Sequence, residues 1–203
     1  MFHLDGTVNK QNCRIWGSQN PHDTVGQEEA SPSLTVWCGI CVGGILGPFF
    51  FEERGHPVSV TAARYRSLIL RSVLPALRRM RMPRARVWYQ HDGASSHTAR
   101  AVPAVLQDKF PGRVISKWGD EPWPPRSPDL SLNDFFLWGH VKNLVYAAPV
   151  HSLRQLKRRI RLAVRGLPRA LLRRAFSALP HRLRECLRQR GGHLETVQLH
   201  HNR

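Results

Sequence analysis

Apolar residues along the first half of the chain follow the pattern of short buried strands. The runs LTVWCGIC at 34–41 and ILGPFFFE at 45–52 are rich in β-branched and aromatic residues. Because Gly43-Gly44 lies between them, the two runs predict a hairpin of two buried strands. Two further runs, at 86–90 and 113–116, each predict another strand.

The N-terminal residues predict only part of a strand. Residues 2–4 have strand character and precede Asp5-Gly6, a dipeptide typical of hairpin turns. A complete strand before this turn would be very short, so we expect a strand that is cut off by the start of the chain. The polar segment from Asn20 to Ser33 predicts a loop.

Helical spacing of apolar residues predicts two helices in the middle of the chain. The first runs from Thr61 to Met80, with Ser59 or Thr61 as its cap and with Pro75 kinking or ending it. The second begins after Gly93, where Ser95, Ser96 or Thr98 can cap it, and runs to about residue 109.

A third helix is predicted after a proline-rich, extended connection at 119–129. Ser131 or Asn133 can cap it, and its apolar stripe consists of Leu137, Trp138, Val141, Leu144 and Val145. Two or three arginine-rich helices follow beyond Pro149 and end at Gly191-Gly192. This order of strands and helices predicts an α/β domain with a mixed sheet flanked by helices.

Charge narrows the class of partner. The chain has 31 Lys and Arg against 14 Asp and Glu, a net charge of +17, and residues 150–203 alone hold 14 basic and two acidic residues. Arg154, Arg158, Arg161 and Arg165 fall together on one predicted helix face. Such a surface favours polyanions, above all nucleic acid; the alternative is a solvated basic face that binds nothing.

Other classes of protein are disfavoured by the sequence. No run approaches the ~20 apolar residues that a membrane span needs, and the first residues do not have the pattern of a secretory signal. Cys38 and Cys41 form a lone C-x-x-C. Residues three apart on a strand point to opposite faces, so we interpret both as structural cysteines in a reducing compartment.

Two acidic residues stand at the ends of predicted elements. Asp92 follows an apolar strand at a glycine turn, and Asp134 lies at the head of the third helix, on the side of its apolar stripe. Carboxylates on separate elements of a strongly basic protein indicate metal-assisted chemistry on a phosphate backbone. Taken singly, Asp92 could be a turn residue, and Asp134 a helix-start acid that the dipole favours.

Five segments together resemble the catalytic domain of mariner-superfamily (DDE/DDD) transposases. They are FHLDGTVNKQNCRIWG at 2–17, VWCGICVGGILGPFFFE at 36–52, VWYQHDGASSHTAR at 87–100, RVISKWGDEPWPPRSPDLSLNDFFLWGHVKNLVY at 113–146 and RLRECLRQRGGHLE at 182–195. The resemblance implies an RNase H-like fold over residues 1–149, with basic C-terminal helices at 150–203 packed on it or extending it.

The resemblance also implies a catalytic site. In the family, three acidic residues hold two divalent cations, normally Mg²⁺ with Mn²⁺ as an alternative, for DNA cleavage and strand transfer. Asp92 matches the second acidic residue and Asp134 the third. Asp129 is a rival for the third place, less favoured because it follows a proline in the loop. His97 matches a histidine that the family has just after its second acidic residue. Its candidate roles are phosphate contact or ordering of the loop, and the alternative is packing at the start of a helix.

The first acidic residue of the family has no counterpart here. It lies in a Ser-Asp-Glu string on the first strand, upstream of the segment that begins at Met1, so the resemblance implies a domain truncated at its N-terminus. Asp5, Glu52 and Glu53 are poor substitutes by position. We therefore expect an incomplete two-metal site and no efficient transposition.

The resemblance implies DNA as the partner, transposon ends in the family, together with a nuclear location. It allows a homodimer and implies neither a membrane nor a small-molecule substrate. The alternative function is a non-catalytic DNA- or RNA-binding protein that uses the Arg-rich C-terminus. Residual activity, target sequence and oligomeric state stay open at this point.

Overall fold

The strands of the molecule are short. The computed structural model describes residues 1–6, 31–125, 127–191 and 194. Its strands in chain order are β1 (Phe2–His3), β2 (Ser33–Leu34), β3 (Val36–Cys41), β4 (Gly44–Phe50), β5 (Glu52–Glu53), β6 (His56–Pro57), β7 (Tyr89–Gln90), β8 (Val114–Ser116) and β9 (Glu121–Pro122). Within these residues they pair as β1-β2, β3-β4, β5-β6 and β7-β8-β9.

The hairpin predicted at 34–52 is confirmed. β3 and β4 pair antiparallel from Val36 opposite Phe50 to Cys41 opposite Gly44, with a register shift after Trp37. Its turn comes at the predicted glycines because Gly44, at φ +148°, has a backbone conformation that residues with a side chain rarely adopt. The small hairpin β5-β6, which follows β4 in the chain, is not predicted by the sequence pattern.

The parallel sheet β7-β8-β9 departs from the prediction in two places. Residues 84–86 form a 3₁₀ turn, so the strand predicted at 86–90 is reduced to β7, whereas β8 lies as predicted. β9 lies inside the proline-rich connection, where no strand is predicted. The side chain of Asp120 explains it, because its Oδ2 accepts the backbone N–H of Val114 at 2.9 Å and folds the chain back along β8.

The N-terminal strand is as short as expected. Among the described residues β1 pairs with β2, and the Tyr146 hydroxyl donates to the carbonyl of His3 at 2.6 Å. The loop predicted at 20–33 lies outside the described residues up to residue 30, and its last residue, Ser33, belongs to β2. Cys13 and Arg126 also lie outside the described residues.

The helix predicted from Thr61 to Met80 is present. Pro75 does not end it, but the helix has an irregular turn just before this proline. Thr61 caps α1 (Ala62–Leu68), accepting the N–H of Arg64 at 3.3 Å. A π-helical turn over Ile69–Val73 follows, and α2 (Leu74–Arg79) continues through Pro75. Since proline cannot donate to the carbonyl four residues before it, the wider turn lets the helix pass.

The helix predicted after Gly93 is two helices. α3 (Ser95–Thr98) and α4 (Ala101–Lys109) are separated at Ala99, which is extended. The predicted caps are wrong: none of the three candidate hydroxyls caps a backbone N–H, and that of Thr98 donates to the carbonyl of Ala94 at 3.2 Å instead.

The later helices are α5 (Trp138–Val145), which continues a π-helical turn over Asn133–Leu137, α6 (Leu153–Arg165) and α7 (Arg169–Arg188). Helix α7 runs unbroken through Pro180, so two arginine-rich helices are present. The predicted cap at the third helix is wrong, because neither Ser131 nor Asn133 caps it with its side chain.

Two hydrophobic clusters hold these elements together. The first contains residues of β1, β2, β3, α5, α6 and the start of α7. The second contains residues of β4, α1, α2, β7, α4 and β8. In the predicted stripe of α5, Leu137, Val141 and Val145 are fully buried, but Leu144 is exposed. Because α6 shares the first cluster, it is packed on the core; the domain boundary at 149 stays a prediction.

Among the described helices, none combines the length and the apolar character that crossing a membrane requires.

Candidate functional site

Asp92 lies at the carboxyl end of β7. The neighbouring strand β8 fixes this end, since the N–H of His91 donates to the carbonyl of Ile115 at 3.1 Å. Oδ1 of Asp92 accepts the N–H of Ala94 at 3.2 Å, the local bond that closes an Asx turn. The side chain is 59% exposed, so a ligand in solvent can reach it.

His97 holds Asp92 in place. Its Nδ1 lies 2.6 Å from Oδ1 of Asp92, and this bond, followed by the charge of His97 and the N–H of Ala94, lowers the pKa of the Asp92 carboxyl. The imidazole ring is tilted against Tyr65 at 4.1 Å and stacked on His91 at 5.1 Å. Because the ring is packed and already bound, the geometry favours a loop-ordering role for His97; phosphate contact stays a prediction.

A buried cluster of Tyr65, Tyr89 and His91 supports this histidine. The two tyrosine hydroxyls are 2.9 Å apart, and that of Tyr65 is 3.3 Å from Nδ1 of His91. Burial lowers the pKa of His91 to about 4 and raises the pKa of Tyr65 to about 12. All three side chains are therefore neutral near pH 7, and the cluster adds no fixed charge beneath Asp92.

This cluster is not predicted from the sequence. Tyr65 lies on the buried face of α1, and the helical pattern does not show what its hydroxyl contacts. Tyr89 and His91 are two residues apart on a strand and so share a face, which is the local sign that was available. Their partner on α1 could be identified only from the fold.

Asp134 is carried by the π-helical turn that opens the third helix. Its neighbour Asn133 donates from Nδ2 to the carbonyl of Cys38 at 3.1 Å, which ties the turn to β3. Three residues further on, Leu137 is fully buried. The helix is therefore fixed from both sides, and the exposed carboxylate of Asp134 lies at the edge of this packing.

The two predicted carboxylates come together electrostatically. Partial burial raises the pKa of Asp134, the hydroxyl of Ser131 opposes this shift, and the negative charge of Asp92 adds to it. A like charge nearby disfavours the ionised form of a carboxyl group, so the two side chains interact electrostatically across 42 positions of sequence. Their sharing of one cation site stays a prediction.

The rival carboxylate Asp129 is engaged elsewhere. Its Oδ1 lies 3.8 Å from Nη2 of Arg182 in α7, and its Oδ2 accepts the N–H of Leu194 at 3.2 Å. Asp129 therefore anchors the C-terminal part of the chain. This favours Asp134 over Asp129 as the partner of Asp92.

The other candidate carboxylates, Asp5, Glu52 and Glu53, also interact with other groups. Glu53 forms an ion pair with Arg64 at 2.8 Å, and Glu52 forms one with Lys157. Asp5 lies at the turn after β1, where its charge acts on the Tyr146 hydroxyl. Among the described residues, no group of three or more His, Cys, Asp or Glu side chains has an arrangement that could hold a metal ion.

The Asp92–Asp134 pair fits part of a Mg²⁺ or Mn²⁺ site. Carboxylate oxygens are the ligands these cations prefer, and a cation would offset both the burial and the smaller repulsion from Asp92 that raise the pKa of Asp134. Two side chains provide fewer anionic ligands than the expected three. The described residues thus fit a weak, open cation site better than a closed one.

The arginine stripe predicted at the C-terminus is present on α6. Arg154, Arg158, Arg161 and Arg165 are exposed, whereas the opposite face of the helix is buried through Leu156, Ile160, Ala163 and Val164. The guanidinium of Arg161 lies 4.9 Å from the centre of the Phe50 ring. The stripe is a continuous row of positive charge about 16 Å long, at 1.5 Å per residue.

Comparisons with known proteins agree with these features. No family model matches the chain. The Mariner Mos1 transposase of Drosophila mauritiana is 27% identical over 153 residues, which are 73% of this chain and 42% of that protein. The chain thus spans less than half the length of this relative.

Solved structures of that transposase share the fold. The crystal structure of the catalytic domain of Mos1 mariner transposase matches at TM-score 0.68 and 24% identity, over 81% of this chain and 77% of that one. The Mos1 catalytic domain with Raltegravir and Mg matches at TM-score 0.63 and 25% identity, over 76% and 73%. The Mos1 paired-end complex with left transposon end matches at TM-score 0.70 and 23% identity, over 96% and 54%.

The predicted RNase H-like fold is thereby confirmed, and the chain is homologous, in sequence and in structure, to the catalytic domain of the Mos1 mariner transposase.

Proposed function

We propose that this chain is a transposase-derived nucleic-acid-binding domain whose ancestral activity is metal-dependent cleavage and strand transfer of DNA. The observation that supports this most directly is the electrostatic interaction of Asp92 with Asp134 in a fold similar to a transposase catalytic domain. The match to Mos1 complexes with Mg and with transposon-end DNA supports a divalent cation and DNA as its ligands.

In this proposal each residue of the site has a defined task. Asp92, kept ionised by His97 and the N–H of Ala94, and Asp134, held at the edge of the core by Asn133, bind Mg²⁺ or Mn²⁺ through carboxylate oxygens. When bound, paired divalent cations provide activation of the attacking hydroxyl and stabilisation of the leaving oxygen. The arginine stripe on α6 binds the DNA backbone.

We propose further that this chain does not cleave DNA efficiently. Among the described residues, no three His, Cys, Asp or Glu side chains are grouped so that they could hold a metal ion, and a two-cation site with fewer than three carboxylates has lower affinity and poorer orientation. The paired-end structures of the relative are consistent with action as a homodimer, and a DNA substrate is consistent with a nuclear location. Both are parts of the proposal.

Mn²⁺ binding and DNA cleavage test the site together. We expect wild-type protein to bind Mn²⁺ weakly, with binding lost in Asp92→Asn and Asp134→Asn and kept in Asp108→Asn. Asp108 is a matched control because it is an exposed aspartate on α4, paired with Lys109. Equal Mn²⁺ affinity in all four proteins would refute the site. Efficient cleavage of transposon-end DNA that Asp92→Ala abolishes would refute the proposed inactivity.

A second candidate function is non-catalytic nucleic-acid binding, which the exposed arginine stripe specifically favours. Phosphate contacts make binding depend steeply on salt, by about 0.9 in log K per log salt for each phosphate neutralised on duplex DNA. We expect replacement of the four stripe arginines by Gln to reduce that slope by about 3.6 if each arginine neutralises one phosphate. The matched control replaces four exposed arginines of α1, α2 and the π-helical turn between them, namely Arg66, Arg71, Arg78 and Arg79.

The two functions are separated by what each variant changes. If the stripe variant loses DNA binding and Mn²⁺ binding is absent from the wild type, the chain is a basic binding protein without a working metal site. If the stripe variant and its control reduce the salt dependence of DNA binding equally, binding depends on total charge. The stripe is then not a specific DNA-binding surface.

A further inference from the structure

Arg182 links the last helix to the segment that carries Asp134. It lies in the second half of α7, and its side chain is mostly buried, at 18% exposure. Its Nε donates to the carbonyl of Asp129, and its Nη2 lies 3.8 Å from Oδ1 of the same residue. The carboxylate of Asp129 in turn accepts the N–H of Leu194 at 3.2 Å. One arginine thus fixes the 3₁₀ turn Pro128–Leu130 to the C-terminus.

The same guanidinium also covers the residue next to Asp134. Its central carbon lies 4.4 Å from the centre of the Phe135 ring. The backbone N–H groups of Asp134 and Phe135 both donate to the carbonyl of Ser131, at 2.9 and 3.0 Å. The position of Phe135 and that of Asp134 are therefore set by the same turn.

This segment depends on such a contact because its own hydrogen bonding is irregular. A 3₁₀ turn at Pro128–Leu130 is followed by a π-helical turn at Asn133–Leu137, and no side chain caps the start of either. Turns of these two types have poorer hydrogen-bond geometry or lower frequency than α-helix. Packing from outside must therefore hold the turn in one conformation.

We infer that Arg182 is a positioning residue for Asp134: by bonding Asp129 on one side and covering Phe135 on the other, it fixes where the carboxylate stands relative to Asp92. The inference rests on the proposed function and deepens it, since it makes the basic C-terminal helices part of the cation site. Arginine suits this task because its planar group can donate in its plane and stack on a ring at once, whereas the compact ammonium of lysine has no plane with which to do both.

The experiment compares Arg182→Ala, Arg182→Lys and the control Arg184→Ala in the full chain. Arg184 is exposed on the same helix, so its replacement removes the same charge. Two quantities are measured: Mn²⁺ affinity, and amide hydrogen exchange in the segments 128–137 and 90–99.

We expect Arg182→Ala to weaken Mn²⁺ binding about 10-fold, as loss of a residue that orients a metal ligand commonly does. Arg182→Lys should recover little of it, and Arg184→Ala should stay within about twofold of the wild type. Exchange should quicken at residues 134–137 in Arg182→Ala and remain unchanged at 90–99.

Unchanged Mn²⁺ affinity with faster exchange in Arg182→Ala would overturn the inference, because Arg182 would then be structural only. Full rescue by lysine would also overturn it. If the wild type itself binds no Mn²⁺, the proposed function fails, and the exchange data decide Arg182 alone: faster exchange that reaches residues 134–137 supports the inference, and an effect confined to 128–131 overturns it.

Discussion

His97 and Asp92 form a short hydrogen bond, with 2.6 Å between Nδ1 and Oδ1. In the described part of the chain, the contacts of the Asp92 carboxylate are made through Oδ1, to His97 and to the N–H of Ala94. Oδ2 makes neither of these contacts and is the oxygen that the proposed site assigns to a cation. The ring of His97 is itself packed on Tyr65 and His91, so the orientation of the carboxylate is determined by the core.

The first prediction concerns this bond. His97→Ala should weaken Mn²⁺ binding about 10-fold, since Asp92 loses the group that orients it and lowers its pKa. The measurement is titration with Mn²⁺, and His181→Ala, at an exposed position on α7, is the control. If the two variants have the same affinity, His97 does not orient Asp92.

A second prediction concerns cysteine reactivity. Cys38 is 2% exposed, and burial raises the pKa of its thiol to about 12. Because the thiolate is the reactive form, Cys38 should react with iodoacetamide at least about 10-fold more slowly than Cys186, which is partly exposed. Peptide mass spectrometry over time measures both rates. Cys41 should be intermediate, since its thiol contacts the carbonyl of Gly44 at 3.3 Å. Fast labelling of Cys38 in folded protein would contradict the predicted β3 packing.

The sequence was sufficient for features that depend on local pattern. The β3-β4 hairpin, the cap at Thr61, the buried stripe of α5 and the charged face of α6 each follow from residues near one another in the chain. The pair Asp92 and Asp134 was predicted because Asp92 follows a recognisable strand and Asp134 lies at the head of a recognisable helix, in strings that resemble one family. Its role as a cation site stays a prediction.

Features that depend on distant partners could not be predicted. Asn133 was interpreted as a cap, but its amide bonds the carbonyl of Cys38, 95 residues away. Pro75 was expected to kink or end its helix, but a π-helical turn before it, packed through buried Ile69 and Val73, lets the helix continue. Arg182 was one of many arginines until the fold placed it on Asp129 and Phe135. Each outcome was decided by tertiary contacts.

A third prediction concerns pH. The His91 ring faces Tyr65, Tyr89 and His97, with the Asp92 carboxylate nearby, and burial lowers its pKa from the ordinary 6.5 to about 4. Between these two pH values, the His91 side chain binds a proton in the unfolded chain but not in the folded chain. The free energy of unfolding should therefore fall as the pH falls from about 6.5 to about 4, by up to about 3 kcal/mol from this residue.

Urea unfolding at several pH values measures this dependence. His91→Gln should flatten the curve in that window, whereas His151→Gln, at an exposed position, should leave it unchanged. An unchanged slope in His91→Gln would show that other groups control acid stability.

The last prediction follows from the opposite pKa shifts of the two site carboxylates. The pKa of Asp92 is lowered, so its ionised form stabilises the fold above the ordinary carboxyl pKa, and that stability is lost as the pH falls through the lowered value. The pKa of Asp134 is raised by burial and by the charge of Asp92, so its ionised form destabilises the fold at neutral pH. At pH 7, Asp92→Asn should lower the free energy of unfolding and Asp134→Asn should raise it. Each change should stay below about 1 kcal/mol, because both side chains are exposed.

Bound Mn²⁺ should reverse the order of stability between the wild type and Asp134→Asn. A cation that binds only the folded protein adds stability in proportion to the logarithm of its concentration above its Kd, and Asp134→Asn lacks one of its ligands. Urea unfolding with and without Mn²⁺ should thus show Asp134→Asn more stable than the wild type without the cation and less stable with saturating cation, while Asp108→Asn follows the wild type throughout. In a binding site we expect residues that lower the stability of the free protein and raise its stability once the ligand is bound. If Asp134→Asn destabilises the protein without Mn²⁺, the carboxylate stabilises the fold by itself and this argument for a cation site fails.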